Sequence, residues 1–134
     1  MGDIETAARI ALRTRLSTVP ELPALAIEGR PFDPVQGTPW VREKLVQISE
    51  SPAANGVISH RMSWQLGLFY PNGLGTRPVA KMRSAVIDAF APGLKLEYGN
   101  FGFVIMEAAR QPIVEEPDWM QAPVAIVVQA WTVG

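Results

Sequence analysis

The segment His60–Tyr70 alternates without a break. Met62, Trp64, Leu66, Leu68 and Tyr70 interleave with Arg61, Ser63, Gln65, Gly67 and Phe69. Successive side chains of a strand point to opposite faces, so this period predicts a strand with one buried face and one wetter face. Such a strand demands a second layer to cover its apolar side. Asn55-Gly56, just ahead of it, predicts a hairpin with a strand over Val41–Glu50, where Val46 and Ile48 share one face and Leu45 takes the other. Ser51–Gly56, with Pro52, reads as the turn-rich connection. At the far end, Pro123–Val133 is apolar on both sides: Val124, Ile126 and Val128 on one, Ala125, Val127 and Trp131 on the other. That pattern predicts a central or doubly covered strand.

Two helices are available to cover such a sheet. Residues 3–17 carry Ile4, Ala8, Ala11, Leu12 and Leu16 on one stripe, with Asp3 as N-cap and Glu5 favouring the positive end of the helix dipole. Arg9 and Arg13 fall on another face, and Pro20 and Pro23 end the segment. A second helix starts from Thr76, tolerates Pro78 in its first turn and aligns Val79, Met82, Val86 and Phe90 before Pro92-Gly93 stops it. Pro23–Gly29 reads as a short strand. Leu94–Tyr98 and Phe101–Ala108 flank the turn Gly99-Asn100, and Gln111–Gln121 reads as a polar, proline-bearing loop. The order is helix, strands, helix, strands, without repeated βα alternation. It predicts an α+β fold: a mainly antiparallel or mixed sheet with two main helices packed on it, rather than a doubly wound one.

At 134 residues the chain is expected to form one domain, with a core that needs no staples. There are no cysteines, which excludes disulfides, zinc ribbons and thiol chemistry. The net charge is −1, and neither half has a positive excess: residues 1–67 hold seven basic and seven acidic groups, residues 68–134 five and six. A protein held on DNA mainly by phosphate neutralisation would show such an excess. Asp3 and Glu5 stand where a secretory signal wants basic residues, and the longest strongly apolar run, Ala122–Val128, is too short to cross a bilayer. The chain is therefore expected to be soluble and unprocessed.

The supply of catalytic groups is poor. His60 is the one histidine, and it reads as a partly exposed strand residue. Glu115, Glu116 and Asp118 match no ion-wrapping loop, so a solvated acidic loop is the better reading. Gly73-Leu74-Gly75-Thr76-Arg77 opens a helix, but Pro78 falls where a dinucleotide motif needs its third glycine, and no Walker lysine follows. Arg9, Arg13 and Arg15 read as a solvated helix face. Nothing converges in the linear sequence as catalysis requires, so no catalytic, metal or cofactor-binding residue is expected.

The linker Phe32-Asp33-Pro34-Val35-Gln36-Gly37-Thr38-Pro39-Trp40-Val41-Arg42 stands apart. Its prolines, together with Pro31, fix φ and stiffen a loop that carries two large aromatics. Such aromatics either pack on their own domain or meet a partner, and both readings stand open for Trp40. The order F-x-P-x-x-G-x-P-W-V-R resembles the segment after the first helix of tail terminator-like proteins of long-tailed bacteriophages. The likeness extends to the A-R-x-A-L-R-x-R-L helix at Ala8–Leu16. It continues through Phe69-Tyr70-Pro71 with Gly73 and Gly75, and through Phe101-Gly102, to the strand from Pro123 to Trp131. It implies a phage or prophage structural protein. Six copies would form a ring that caps the tail tube, ends tube growth and provides the head-attachment surface. Its partners would be itself, the major tail tube protein and head–tail connector proteins, with no cofactor, no membrane and no sequence-specific nucleic acid. It would reside in the neck region of the virion tail after assembly in the host cytoplasm. Loop exposure marks Phe32, Trp40 and Arg42 as candidate subunit or tube contacts, with Tyr70, Asn72 and Gly73 as a second group. Alternatives are a small ligand-binding module or another neck or tail joining protein.

Overall fold

The computed structural model describes residues 3–52 and 54–133. Helix α1 (Ile4–Leu16) is followed by β1 (Ala24–Ala26), β2 (Trp40–Pro52), a short 3-10 turn (Ala54–Gly56) and β3 (Val57–Pro71). Then come α2 (Arg77–Ala89), β4 (Lys95–Tyr98), β5 (Phe101–Arg110), β6 (Val114–Glu115) and β7 (Trp119–Val133). The strands form one sheet in the order β1-β2-β3-β7-β5-β4, with β6 paired to the start of β7. Only β1 and β2 run parallel; every other pair is antiparallel. This is the α+β fold that the element order predicts.

The helix ends follow local chemistry. The Asp3 carboxylate accepts from the Glu5 N–H at 3.1 Å and caps α1. Thr76 precedes α2 without a side-chain cap bond. Asn55 adopts a left-handed conformation, φ 63°, that turns the β2–β3 connection. Gly99-Asn100 joins β4 to β5 as expected.

Directly paired residues share a face of the sheet. Met62, Trp64, Leu66 and Leu68 of β3 stand beside Ile126, Val124 and Val128 of β7 and Val41 and Leu45 of β2. These residues form one cluster with Ala8, Leu12 and Leu16 of α1 and Val79, Val86 and Phe90 of α2. The Trp64 and Phe90 rings meet at 5.7 Å. Both helices therefore cover one face of the sheet. β7 is central but not doubly covered: its second row, Ala125, Val127 and Trp131, is half-buried to exposed.

Several expectations need correction. β2 runs on to Pro52, so the loop predicted from Ser51 starts later; the notional Ala53 of that loop lies outside the described residues. On β2 the covered side is Val41, Glu43 and Leu45, while Val46 is half-buried and Ile48 is 51% exposed. Val46 faces away from the helices by alternation from buried Leu45, and Ile48 is the extra residue of a bulge, since Gln47 pairs Met62 and Ser49 pairs Arg61. A second bulge on β5 leaves Met106 exposed in the same way. The predicted loop Gln111–Gln121 contains β6, and β7 begins at Trp119 because Trp119–Ala122 pair with the end of β3.

The helix arginines are not a merely solvated face. Arg13 Nε donates to Glu43 Oε1 at 2.7 Å, and the Trp64 indole N–H donates to Glu43 Oε2 at 3.0 Å. The Glu43 side chain has no exposure at all. Arg9 pairs with Glu28, whose carboxylate also accepts from the Leu45 N–H at 3.0 Å. Arg15 Nε caps the end of α2 through the Ala89 carbonyl at 2.8 Å. Burial opposes the Glu28 charge, but the Leu45 N–H, Arg9 and Lys44 hold its pKa below the ordinary 4.5.

Arg13→Ala leaves the Glu43 carboxylate buried without its cation and is expected to destabilise the protein by about 3 kcal/mol in chemical denaturation. Glu28 gives a pH signature. A depressed carboxylate pKa contributes stability that is complete above the unfolded value and lost as pH falls through the folded one. Glu28→Gln is expected to flatten the acid-side fall in stability below the ordinary 4.5 and to leave the slope at neutral pH unchanged.

Candidate functional site

Residues 27–39 pass from β1 to β2 as a strap stiffened by Pro31, Pro34 and Pro39. Gly37, at φ 82°, supplies the left-handed turn that brings the chain back to Trp40. The strap folds onto the helix-free side of the sheet. Phe32 stacks on Trp40 with centroids 5.3 Å apart, and Trp40 stacks on Phe69 at 4.1 Å and 8°. Trp119 meets Trp40 edge-on at 6.0 Å. The Arg42 guanidinium lies 5.0 Å above the Phe69 ring, a cation–π contact. Trp40 thus packs on its own domain, and the stack welds the strap to β2, β3 and β7.

Beside this stack is an open groove of 780 Å³ on the same face. Arg30, Arg42, Lys44, Gln65 and Gln121 line it with nitrogen donors. Arg30, Arg42 and Lys44 are exposed and, among the described residues, take part in no ion pair. The two carboxylates at its border are already engaged, Glu28 by Arg9 and Leu45, Glu43 by Arg13 and Trp64. The Trp40 indole N–H is buried with no acceptor among the described residues. Gly67 forms the floor: a Cβ there would sit 2.6 Å from the Gln121 side-chain nitrogen.

Phe32, Trp40 and Arg42 therefore belong to one cluster. Tyr70, Asn72 and Gly73 lie at the same end of the sheet, one residue and more past Phe69. Tyr70 is on the opposite face of β3, packed against the core. Burial, and then the negative charge of Glu21, raises its phenol pKa above the ordinary value. The Asn72 side-chain amide donates to the carbonyls of Glu116 and Pro117, and its N–H donates to the Asp118 carbonyl at 3.3 Å. Asn72 thus holds the acidic loop in place. Gly73, at φ 95°, makes the turn after β3. Leu74 next to it is 56% exposed, and Val35 at the strap tip 66%. These two exposed apolar side chains escaped the sequence reading, which looked for aromatics.

His60 departs from its expected exposure. It is only 5% exposed, its Nε2 lies 2.7 Å from the Thr132 hydroxyl, and its Nδ1 has no partner among the described residues. Arg83 is also buried, donating to the carbonyls of Gln111 at 2.6 Å and Pro123 at 3.3 Å, and burial lowers its pKa. A second groove, of 590 Å³, lies between the start of α1 and the β4–β5 turn, where Ile10, Tyr98, Phe101 and Trp131 make it mostly apolar. Among the described residues, no group of three or more His, Cys, Asp or Glu is placed to hold a metal ion. No described helix is long and apolar enough to cross a membrane.

The helix-free face thus presents a welded aromatic strap beside an open groove bordered by Arg30, Arg42 and Lys44. The family model described as phage tail terminator protein matches residues 7–127, and the chain belongs to that family of structural tail proteins. Nineteen solved chains match its fold. One, from the virion of a native gene transfer agent particle, is 16% identical, with a TM-score of 0.71 over 98% of this chain and 100% of that one. Another is 17% identical, with a TM-score of 0.67 over 95% and 92%. No curated protein matches in sequence.

Trp40→Phe preserves the stacked ring and removes the buried, unpaired N–H, so its stability is expected to stay within about 1 kcal/mol of the parent. Trp40→Ala empties the centre of the stack and is expected to cost about 3 kcal/mol, read by denaturant midpoint.

Proposed function

We propose that the chain is a tail terminator in the full sense. Residues 1–134 act as one domain, and six copies close head-to-tail into a ring that caps the tail tube, stops its growth and offers the surface to which the head attaches. The family match over residues 7–127 carries this reading. The resemblance in fold to a chain of a gene transfer agent virion supports a place within a particle. The role is structural, without catalysis or cofactor. Its partners are other copies, the major tail tube protein and the head–tail connector proteins, with no membrane and no sequence-specific nucleic acid. Assembly takes place in the cytoplasm of a bacterial host, and the product stays in the neck of the virion tail.

A head-to-tail ring needs two different complementary patches on every subunit. Phe32, Trp40 and Arg42 belong to one proposed patch, Tyr70, Asn72 and Gly73 to a second, weaker one. The exposed Val35 and Leu74 add apolar area beside them. The lean charge supply, 19% of residues, suits contact between near-neutral surfaces.

Purified protein added to assembled tail tubes is expected to decorate one tube end only in electron micrographs. Coating along the whole tube, or no binding, would overturn the reading. Asn72→Ala frees the acidic loop and is expected to lower end decoration, while costing only about 0.5–1 kcal/mol of stability.

A further inference from the structure

We infer that the groove beneath the strap seats an acidic, extended polypeptide segment of a partner protein. This rests on the reading of the chain as an assembly protein and names the chemistry of one contact. Charge complementarity argues for it. The chain as a whole is slightly negative, yet Arg30, Arg42 and Lys44 converge on one groove with no ion-pair partner among the described residues. The parity of β2 is responsible. Glu43 points into the core, so its neighbours Arg42 and Lys44 both point out.

The hydrogen-bond inventory leads the same way. Gln65 and Gln121 add amide donors, and the Trp40 N–H has no acceptor among the described residues. The nearest carboxylates already have partners, Glu28 Oε1 in Arg9 and the Leu45 N–H, Glu43 in Arg13 and Trp64. An occupant therefore has to bring acceptors and negative charge, which backbone carbonyls and Asp or Glu side chains supply together. Space suits a slender chain: Gly67 keeps the floor low in a groove of 780 Å³ that is open to solvent.

Nucleic acid fits less well. Single strands bind by stacking bases on free aromatic faces. Here Trp40 already stacks with both Phe32 and Phe69, and the Arg42 guanidinium lies over the Phe69 ring. These rings are engaged with one another rather than left free for bases. Three cations also make a small footprint for duplex phosphates.

The test uses the full chain and a fluorescein-labelled peptide of alternating glutamate and valine, read by fluorescence polarisation at low and physiological salt. The same peptide with lysine in place of glutamate and an oligothymidylate of equal charge serve as controls. The acidic peptide is expected to bind, the lysine peptide not at all and the oligothymidylate more weakly. Arg42→Glu with Lys44→Glu is expected to weaken the acidic peptide by about tenfold or more, and added salt to weaken it as well. Both side chains are exposed, so an unchanged melting curve verifies the fold of the variant. The milder pair Arg42→Gln and Lys44→Gln serves if the reversal does not fold. No binding of the acidic peptide, equal binding to the variant, or tighter binding of the oligothymidylate would each overturn the inference. One-ended tube decoration is a separate measurement. Its persistence without peptide binding sinks this contact and leaves the tail role standing; its absence sinks the tail role.

Discussion

A single buried carboxylate organises this protein. Glu43 lies in the middle of an apolar layer, with Arg13 of α1 on one oxygen and the indole N–H of Trp64 on the other. An isolated charge in that position would be prohibitive; it is tolerated because both partners saturate it. The three residues belong to a helix and two neighbouring strands, so the network sets where α1 rests along the sheet. The buried stripe of α1 combines small Ala7, Ala8 and Ala11 with Leu12 and Leu16, and the directional bonds add to that packing. Such directional bonds specify register in a way that apolar contacts do less sharply.

The same residue also decides the outside. Alternation is strict between Trp40 and Leu45, so burying Val41, Glu43 and Leu45 forces Trp40, Arg42 and Lys44 onto the helix-free face. The strap's Phe32 then finds Trp40 waiting, and Arg42 finds Phe69 across the ladder from Trp40. Core and contact surface are thus two readings of one parity. A shift of β2 by one residue would bury two cations and expose the carboxylate, which makes that slip energetically closed.

Much of the frame was legible because its signals are local. The Asp3 cap, the apolar stripes of both helices, the alternation of Met62 to Leu68 and the Gly99-Asn100 turn depend on residues within a few positions of each other. What escaped was set over distance. Nothing within Arg42-Glu43-Lys44 itself marks Glu43 as buried; its partners Arg13 and Trp64 stand 30 and 21 positions away. Arg83 gains its carbonyls from Gln111 and Pro123, 28 and 40 positions on. His60 lies beneath the end of β7, and nothing near it in sequence announces Thr132. The bulges at Ile48 and Met106 likewise appear only when the partner strand is present to be mismatched. Of the candidate contacts, the linker aromatics stood out by composition, whereas their stacking on Phe69 and Trp119 required strands that meet only in the fold.

Stiffness connects the strap to its proposed role. Ordering a loop at the moment of contact costs free energy that subtracts from affinity. Here three prolines fix φ along the strap, and Phe32 is held by a stack that continues through Trp40 to Phe69 and Trp119. The cost is therefore met during folding, before any partner arrives. In the proposed ring that counts most, because closure there rests on the sum of many contacts. Small ordering penalties multiply with the number of contacts, and a pre-set strap removes one from each. The groove beside it inherits the advantage, because one of its walls cannot collapse into it while the aromatic stack holds.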